Sequence, residues 1–230
     1  MAFSQLAHEL RNPLTASIAH LALVQNPNLP QESRALSLQL LSSELHRLQN
    51  LLERVNLWEQ SQLSEAYQHT VFDLAQVCET VLLELFPLAQ QNAIEITLQG
   101  TEQAVFVRAD PERISQVLLN LVGNALRYVG NGGLVRVRLQ VSAPKVRVAV
   151  WDNGRGVPQK ELAFLAEPFY RSSPSAKGSG SAEHPSLPPP SGLGLAIVTE
   201  LLHHHQAQLR LESQMGEGSF FLAEFELALA

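Results

Sequence analysis

The sequence is short of the features that mark secreted, membrane-spanning and nucleic-acid-binding proteins. Its 230 residues contain one cysteine, Cys78, which excludes an internal disulfide framework and is typical of a reducing compartment. No apolar run approaches the roughly 18 residues of a membrane span and no signal peptide opens the chain, so we expect a cytoplasmic protein without membrane contact. Acidic residues outnumber basic ones by 22 to 16, a balance that argues against a nucleic-acid partner.

The composition is that of a folded protein with one large domain or two small ones. Hydrophobic residues make up 45% of the chain and charged residues 17%, which excludes wholesale disorder. A length of 230 residues suits either arrangement at about 150 residues per domain. The patterns along the chain favour two domains, residues 1–66 and residues 67–230.

The first domain is predicted to be a helical hairpin. Apolar residues recur at three-to-four spacing over residues 2–25, with Pro13 inside the pattern, and again over residues 31–63. Residues 26–30 break the periodicity, as a short turn does. Because one hairpin cannot bury two apolar faces of this width, we expect two copies to pair as a four-helix bundle in a homodimer.

The second domain alternates between helical and strand periodicity. The spacing of Asp110 and Pro111 predicts a helix N-cap followed by the first helical residue. We expect an α+β fold, an α/β sandwich with a mixed sheet and helices on one face. Helices are predicted over residues 73–91, 111–128 and 193–204, and strands over residues 93–98, 105–107, 135–141, 146–151, 209–212 and 219–227.

One segment of the second domain cannot build a core. Residues 172–191 are almost all serine, glycine, proline and small polar residues. Structureless loops of this length are often lids over active sites. We therefore expect a flexible lid over about residues 170–191.

The first helix carries a possible nucleophile. His8 falls outside the apolar stripe, and a neutral imidazole is a competent nucleophile near pH 7. Glu9 beside it could accept or orient the ring proton, and Asn12, one turn onward, could hold a water or a phosphoryl oxygen. The alternative is an ordinary polar helix face with a surface histidine.

A second polar group lies on one face of the helix over residues 111–128. Asn120 and Asn124 are one turn apart, and their amide oxygens could ligate a hard cation such as Mg²⁺. Arg127 on the same face could reach a phosphate. The alternative is a helix whose polar residues simply face water.

Two glycine-containing segments have the pattern of nucleotide contacts. Asp152 ends a predicted strand and could accept a hydrogen bond from an adenine amino group, while Gly154 and Gly156 permit close backbone approach. Residues 191–198 form a glycine-rich loop that opens a helix, where backbone N–H groups can cradle phosphates. A plain turn and a glycine-flanked helix start are the alternatives.

Taken in order, these motifs resemble the catalytic core of two-component sensor histidine kinases over nearly the whole chain. Each motif is weakly specific alone, but their order and spacing are not. The matching segments are the phosphoacceptor box at residues 8–14, the asparagine box at 120–128, the first glycine box at 152–156, the phenylalanine box at 167–171 and the second glycine box at 192–195.

The resemblance implies a gyrase-type ATP-binding domain that uses ATP and Mg²⁺. His8 would be autophosphorylated with help from Glu9, and the phosphoryl group would pass to an aspartate of a response-regulator receiver domain. Asn12 matches a position linked with dephosphorylation of that regulator. The other implied contacts are Mg²⁺ at Asn124 and Asn120, phosphate at Arg127 and Arg171, the pocket wall at Tyr128, adenine at Asp152, Gly154 and Gly156, and the phosphate cradle at Gly192, Leu193, Gly194 and Leu195.

The chain departs from the family pattern at two places, and two other functions stay open. Pro190 and Ser191 precede Gly192 where the family usually has another glycine, and residues 205–207 replace a frequent His-Gly-Gly.

One alternative function is that of a non-catalytic phosphotransfer and dimerisation module. The other is a clamp-type ATPase with the same nucleotide fold.

Overall fold

Two long helices form the N-terminal part of the protein, as the apolar spacing predicts. A computed structural model describes residues 2–61, 67–172 and 192–228, with the backbone alone for residues 2–5 and 8. Helix α1 spans Ala2–Gln25, helix α2 spans Gln31–Ser61, and the two pack together as a hairpin. The predicted domain boundary at residue 66 and lid residues 173–191 lie outside the described residues.

The hairpin leaves large apolar side chains on the surface of the single chain. Leu14, Ile18, Leu36, Leu45 and Leu52 are each more than half exposed. A surface of this kind is typical of a protein–protein interface. It is the face that the predicted homodimer would bury.

A mixed five-stranded sheet with three helices on one face forms the rest of the protein, called here the C-terminal domain. The sheet order is β2-β4-β5-β7-β6, in which only β2 and β4 pair in parallel, and β1 and β3 form a separate antiparallel pair. The strands are β1 (Thr70–Asp73), β2 (Glu95–Gln99), β3 (Phe106–Ala109), β4 (Leu134–Ser142), β5 (Lys145–Asp152), β6 (Gln208–Gln214) and β7 (Gly218–Glu226), and the helices are α3 (Leu74–Gln91), α4 (Pro111–Tyr128) and α5 (Gly194–His204).

The core lies between the sheet and the three helices, as the alternation of the strands dictates. Val146, Val148 and Val150 of β5 have no exposed surface, and the residues between them on the other face are partly exposed. Leu121 of α4 is also fully buried. At the start of α4, the Asp110 carboxylate accepts hydrogen bonds from the next helical N–H groups, which is the predicted cap.

Three local predictions are wrong or incomplete. Asp73 does not begin α3 as a helical residue but caps it, accepting a hydrogen bond from Ala75 N at 3.0 Å. Ala93 has a φ of 52° and ends a turn, so strand β2 begins at Glu95 instead. Strand β1 and a 3₁₀ helix at Gln159–Phe164 were not predicted, because both are too short for periodicity to register.

The described residues contain no helix that combines the length and apolarity needed to cross a bilayer.

Candidate active site

A cavity opens where α4, α5 and the ends of β5 and β7 meet. It brings together segments that are far apart in the sequence, including one residue of the hairpin. Its described lining residues are Arg54, Asn124, Tyr128, Asp152, Arg155, Gly156, Val157, Leu165, Tyr170, Arg171, Ser172, Gly192, Gly194, Leu195, Ser219 and Phe221.

One end of the cavity holds a buried carboxylate. Asp152 ends β5 with 2% of its surface exposed, and its side chain accepts hydrogen bonds from Gly154 N, at 2.8 Å, and from the backbone N–H of Ser219. Burial raises the pKa of Asp152 to about 6, and the two hydrogen bonds oppose this shift. The group is therefore ionised at neutral pH, and its carboxylate has lone pairs for another donor.

Apolar side chains and a closely packed glycine lie beside Asp152. Val157, Leu165 and Phe221 line this part of the cavity. Gly156 has a φ of 65°, and a Cβ there would overlap the Gln214 carbonyl oxygen. Apolar side chains beside a buried hydrogen-bond acceptor suit a flat heteroaromatic ring that carries an amino group.

The other end of the cavity joins two amides to the start of α5. A Cβ built on Gly194 would lie 3.2 Å from Asn120 Oδ1 and 3.7 Å from Asn124 Oδ1. Asn120 Nδ2 donates to Gln116 O at 2.9 Å, which turns Asn120 Oδ1 toward Gly194. Amide oxygens can ligate Mg²⁺, and the N-terminus of α5 favours negative charge. This end of the cavity therefore fits a phosphate with a hard cation.

The two ends are separated along α4 by a length that suits a nucleotide. Arg155 N donates to the carbonyl oxygen of Tyr128, beside the segment that follows Asp152. Asn120 lies eight residues earlier in the same helix, which corresponds to about 12 Å. A ligand with a base at one end and a phosphate chain at the other matches this separation.

Gly192 connects the start of α5 to the residues that precede the predicted lid. Its carbonyl oxygen accepts a hydrogen bond from Phe169 N at 2.9 Å. Its φ is 68°, and a Cβ there would lie 2.6 Å from the carbonyl carbon of Phe169. Neither backbone can move away without breaking this hydrogen bond, so the position requires glycine.

We expect Gly192→Ala to destabilise the protein by about 1–3 kcal/mol and to weaken nucleotide binding, because the Phe169 contact must open. Thermal melts followed by circular dichroism and a nucleotide titration would measure both effects. Gly123→Ala in α4 is the matched control, since a Cβ there meets no atom within 4 Å and alanine favours the helix. Equal stability of the two variants would contradict the prediction.

The hairpin closes over the phosphate end. Trp58 packs edge-on against Phe169, with ring centroids 6.3 Å apart. Arg171 Nη1 lies 3.9 Å from Glu9 Oε1 on α1. The His8 side chain lies outside the described residues, but its neighbour Glu9 faces the cavity side of the hairpin. Asn12 is exposed one turn further along α1.

Some predicted site residues lie behind the cavity rather than in its described wall. Leu193 is fully buried and Arg127 is 5% exposed, both within the packed interior. Asn120 stands behind Gly194, and Gly154 contributes its N–H to Asp152. Their proposed contacts with nucleotide stay predictions.

Several lining residues have no motif that could reveal them. Ser219 and Phe221 reach the cavity because β7 pairs with β5, placing Ser219 opposite Asp152. Arg54 reaches the cavity because α2 packs on the C-terminal domain. Strand pairing and the docking of the hairpin bring these three side chains to the site. Arg155 lies within the first glycine box, and its guanidinium stacks over the Tyr128 ring, 5.0 Å from its centroid.

Comparison with known proteins assigns both parts of the chain. The model of the histidine kinase-, DNA gyrase B- and HSP90-like ATPase family matches residues 109–229. The model of the histidine kinase A phosphoacceptor domain matches residues 2–63. The sensor protein SphS of Synechococcus elongatus is 34% identical over 223 residues, which are 95% of this chain and 52% of SphS. The chain spans about half the length of the curated relatives it matches.

Two solved structures share the whole arrangement. Full-length ShkA in complex with AMPPNP is 27% identical with a TM-score of 0.69, over 100% of this chain and 47% of ShkA. The histidine kinase ThkA, in complex with the response regulator protein TrrA, is 23% identical with a TM-score of 0.70, over 98% of this chain and 61% of ThkA, and so supports the fold. Fold, motifs and family models agree that this chain belongs to the two-component histidine kinases and is their catalytic core.

Proposed function

We propose that this chain uses ATP to phosphorylate His8 and passes the phosphoryl group to an aspartate of a response-regulator receiver domain. The observation that carries the proposal is the single cavity that joins the buried carboxylate of Asp152 to the amide and glycine end at Asn124 and Gly194. That cavity adjoins Glu9, the neighbour of His8, through Arg171. The complex of ShkA with AMPPNP is consistent with an adenine nucleotide as the ligand.

The nucleotide is positioned by its two ends. Asp152 accepts a hydrogen bond from the adenine amino group, and Val157 and Phe221 cover the ring. The phosphates lie at the start of α5, where Gly192 and Gly194 leave room for them. Asn124 and Asn120 would hold Mg²⁺, which offsets the negative charge of the phosphates.

The phosphoryl transfer requires one bond to form and one to break. A ring nitrogen of His8 forms a bond to the γ-phosphorus while the bond to the β,γ-bridging oxygen breaks, and ADP leaves with that electron pair. Glu9 accepts the proton that the imidazole loses and returns it to solvent. Phosphohistidine then donates the phosphoryl group to the aspartate of the regulator. Asn12 would hold the water that hydrolyses the regulator's acyl phosphate.

The exposed apolar face of α1 and α2 supports pairing of two copies as a four-helix bundle. The regulator would dock on the hairpin near His8, and the complex of ThkA with TrrA is consistent with such a partner. We propose the cytoplasm as the location of this core, where ATP and a receiver domain are both available. No nucleic acid or membrane contact enters the mechanism.

Incubation with γ-labelled ATP and Mg²⁺ tests the proposal. We expect an acid-labile, base-stable phosphoprotein, whose label moves to an added receiver domain and is absent from the His8→Gln variant. Label that persists in this variant would exclude His8 as the acceptor. Nucleotide binding without label would favour a non-catalytic module, and phosphate release without phosphoprotein would favour a clamp-type ATPase.

A further inference from the structure

One arginine in the wall of the cavity comes from the hairpin. Arg54 lies in the last third of α2, and its side chain lines the cavity together with Asn124 and Tyr128 of α4. Trp58, one turn further along α2, packs on Phe169. This contact holds the same face of α2 against the C-terminal domain, so the position of Arg54 follows from the docking of the hairpin.

The surroundings of Arg54 are those of a partly desolvated cation. Burial lowers the pKa of Arg54, while the Tyr128 hydroxyl and the Glu9 carboxylate act in the opposite direction. An arginine keeps its charge under these conditions, because its ordinary pKa lies above 12. Removing a charge from water is costly, and an anion bound beside the guanidinium would offset part of that cost.

The cavity wall carries an excess of positive charge. Arg54, Arg155 and Arg171 line it, and Asp152 is the sole acidic side chain among its described lining residues. Asp152 belongs to the end that suits the base. A guanidinium presents a planar fork of donors that matches phosphate oxygens, so the chemistry of this wall matches a polyanion.

The neighbours of Arg54 connect it with the phosphate end. Phe169, on which Trp58 packs, is hydrogen-bonded to Gly192, the glycine before Gly194 and the start of α5. Glu9 lies near Arg54 and 3.9 Å from Arg171, which places both arginines beside the residue that follows His8. The γ-phosphate would approach this same region in a transfer to His8 of the same chain.

We propose that Arg54 is a phosphate-binding residue that the phosphoacceptor hairpin supplies to the nucleotide bound in the C-terminal domain. The inference rests on the proposed function and adds to it that the nucleotide site is complete only with α2 docked. Nucleotide binding and the position of the hairpin are then coupled, because the phosphate chain bridges the two domains through the Arg54 guanidinium.

Titrations of ATP, ADP and adenosine against the full chain test this role. We expect Arg54→Met to weaken ATP binding about ten- to hundredfold, which is the range for one charge-assisted interaction, and to leave adenosine binding within about twofold. Arg54→Lys keeps the charge without the fork, so it should lose less. Arg47→Met is the matched control, because Arg47 lies seven residues earlier on α2 and pairs with Glu44.

The comparison of ligands separates phosphate binding from a role in docking alone. The proposal would be overturned if Arg54→Met binds ATP within twofold of the affinity of the unaltered protein. It would also be overturned if Arg54→Met loses equal affinity for ATP and adenosine. If circular dichroism shows that Arg54→Met does not fold, the ATP and adenosine affinities of Arg54→Gln are compared in the same way. If the protein without substitutions binds no ATP, the proposed function is refuted. If it binds ATP and Arg54→Met binds ATP equally well, only the role of Arg54 is refuted.

Discussion

Asn124→Ala is expected to reduce the labelling of His8 by ATP more than a hundredfold while the chain stays folded. Asn124 lies in the cavity wall, and its Oδ1 faces the start of α5 near Gly194. Its removal takes away the oxygen that we propose as a ligand for Mg²⁺ at the phosphates, and metal stabilisation of a transferring phosphoryl group is worth several kcal/mol. The side chain is half-buried at the surface of the cavity, so the cost to stability is small.

The initial rate of labelling at several Mg²⁺ concentrations measures the effect of Asn124→Ala. A lost ligand raises the Mg²⁺ concentration needed for half-maximal rate, whereas a folding defect lowers the rate at every concentration. Asn131→Ala is the matched control, because Asn131 is exposed in the turn between α4 and β4. Labelling of Asn124→Ala at the rate of the unchanged chain would exclude Asn124 as a ligand.

Local rules predict most of the elements of this fold, since each depends on neighbouring residues. The cap at Asp110 and the valine alternation of β5 involve contacts within a few positions. The parallel pairing of β2 with β4 depends on contacts 39 residues apart, as between Glu95 and Leu134. No local pattern contains that information, so the sheet order emerges only with the tertiary structure.

The same distinction applies to the site. Motif residues such as Asp152 and Asn124 are marked by glycine or amide spacing within one element. Arg54 has no such mark, because on the helix it is one more polar residue of an amphipathic segment. Helical spacing places Arg127 with the two asparagines, but packing of the last turn of α4 buries it. Motif spacing therefore predicts the two ends of the nucleotide, whereas the contribution of the hairpin requires three-dimensional structure.

Asp152→Asn is expected to lower ATP affinity more than a hundredfold and at the same time to gain stability relative to the unaltered protein as the pH rises from 4 to 8. Asp152 accepts hydrogen bonds from Gly154 and Ser219, and we propose a third from adenine. An asparagine that keeps its single carbonyl oxygen toward the two backbone donors turns its NH₂ group toward the adenine amino group. Two donors then face each other, which accounts for the loss of affinity.

The stability effect follows from the pKa of about 6 for Asp152, against the ordinary value of 3.8. Between these values the folded chain binds a proton that the unfolded chain releases, so stability falls as the pH rises toward 6. The ionised group costs about 3 kcal/mol above pH 6, and asparagine avoids this cost. The stability of Asp152→Asn relative to the unaltered protein should therefore increase by about 2–3 kcal/mol between pH 4 and pH 8.

Urea unfolding at pH 4, 6 and 8 and ATP titration at pH 8 measure the two effects of Asp152→Asn separately. Glu217→Gln is the matched control, because Glu217 is an exposed carboxylate in the turn before β7. The unfolding free energy of this variant relative to the unaltered protein should not show the increase expected for Asp152→Asn. A pH-independent difference for Asp152→Asn would show that the carboxylate ionises normally. Retained ATP affinity would exclude it as the adenine contact. Both effects together would mean that the fold accepts a destabilising buried charge at this position because the base needs an acceptor there.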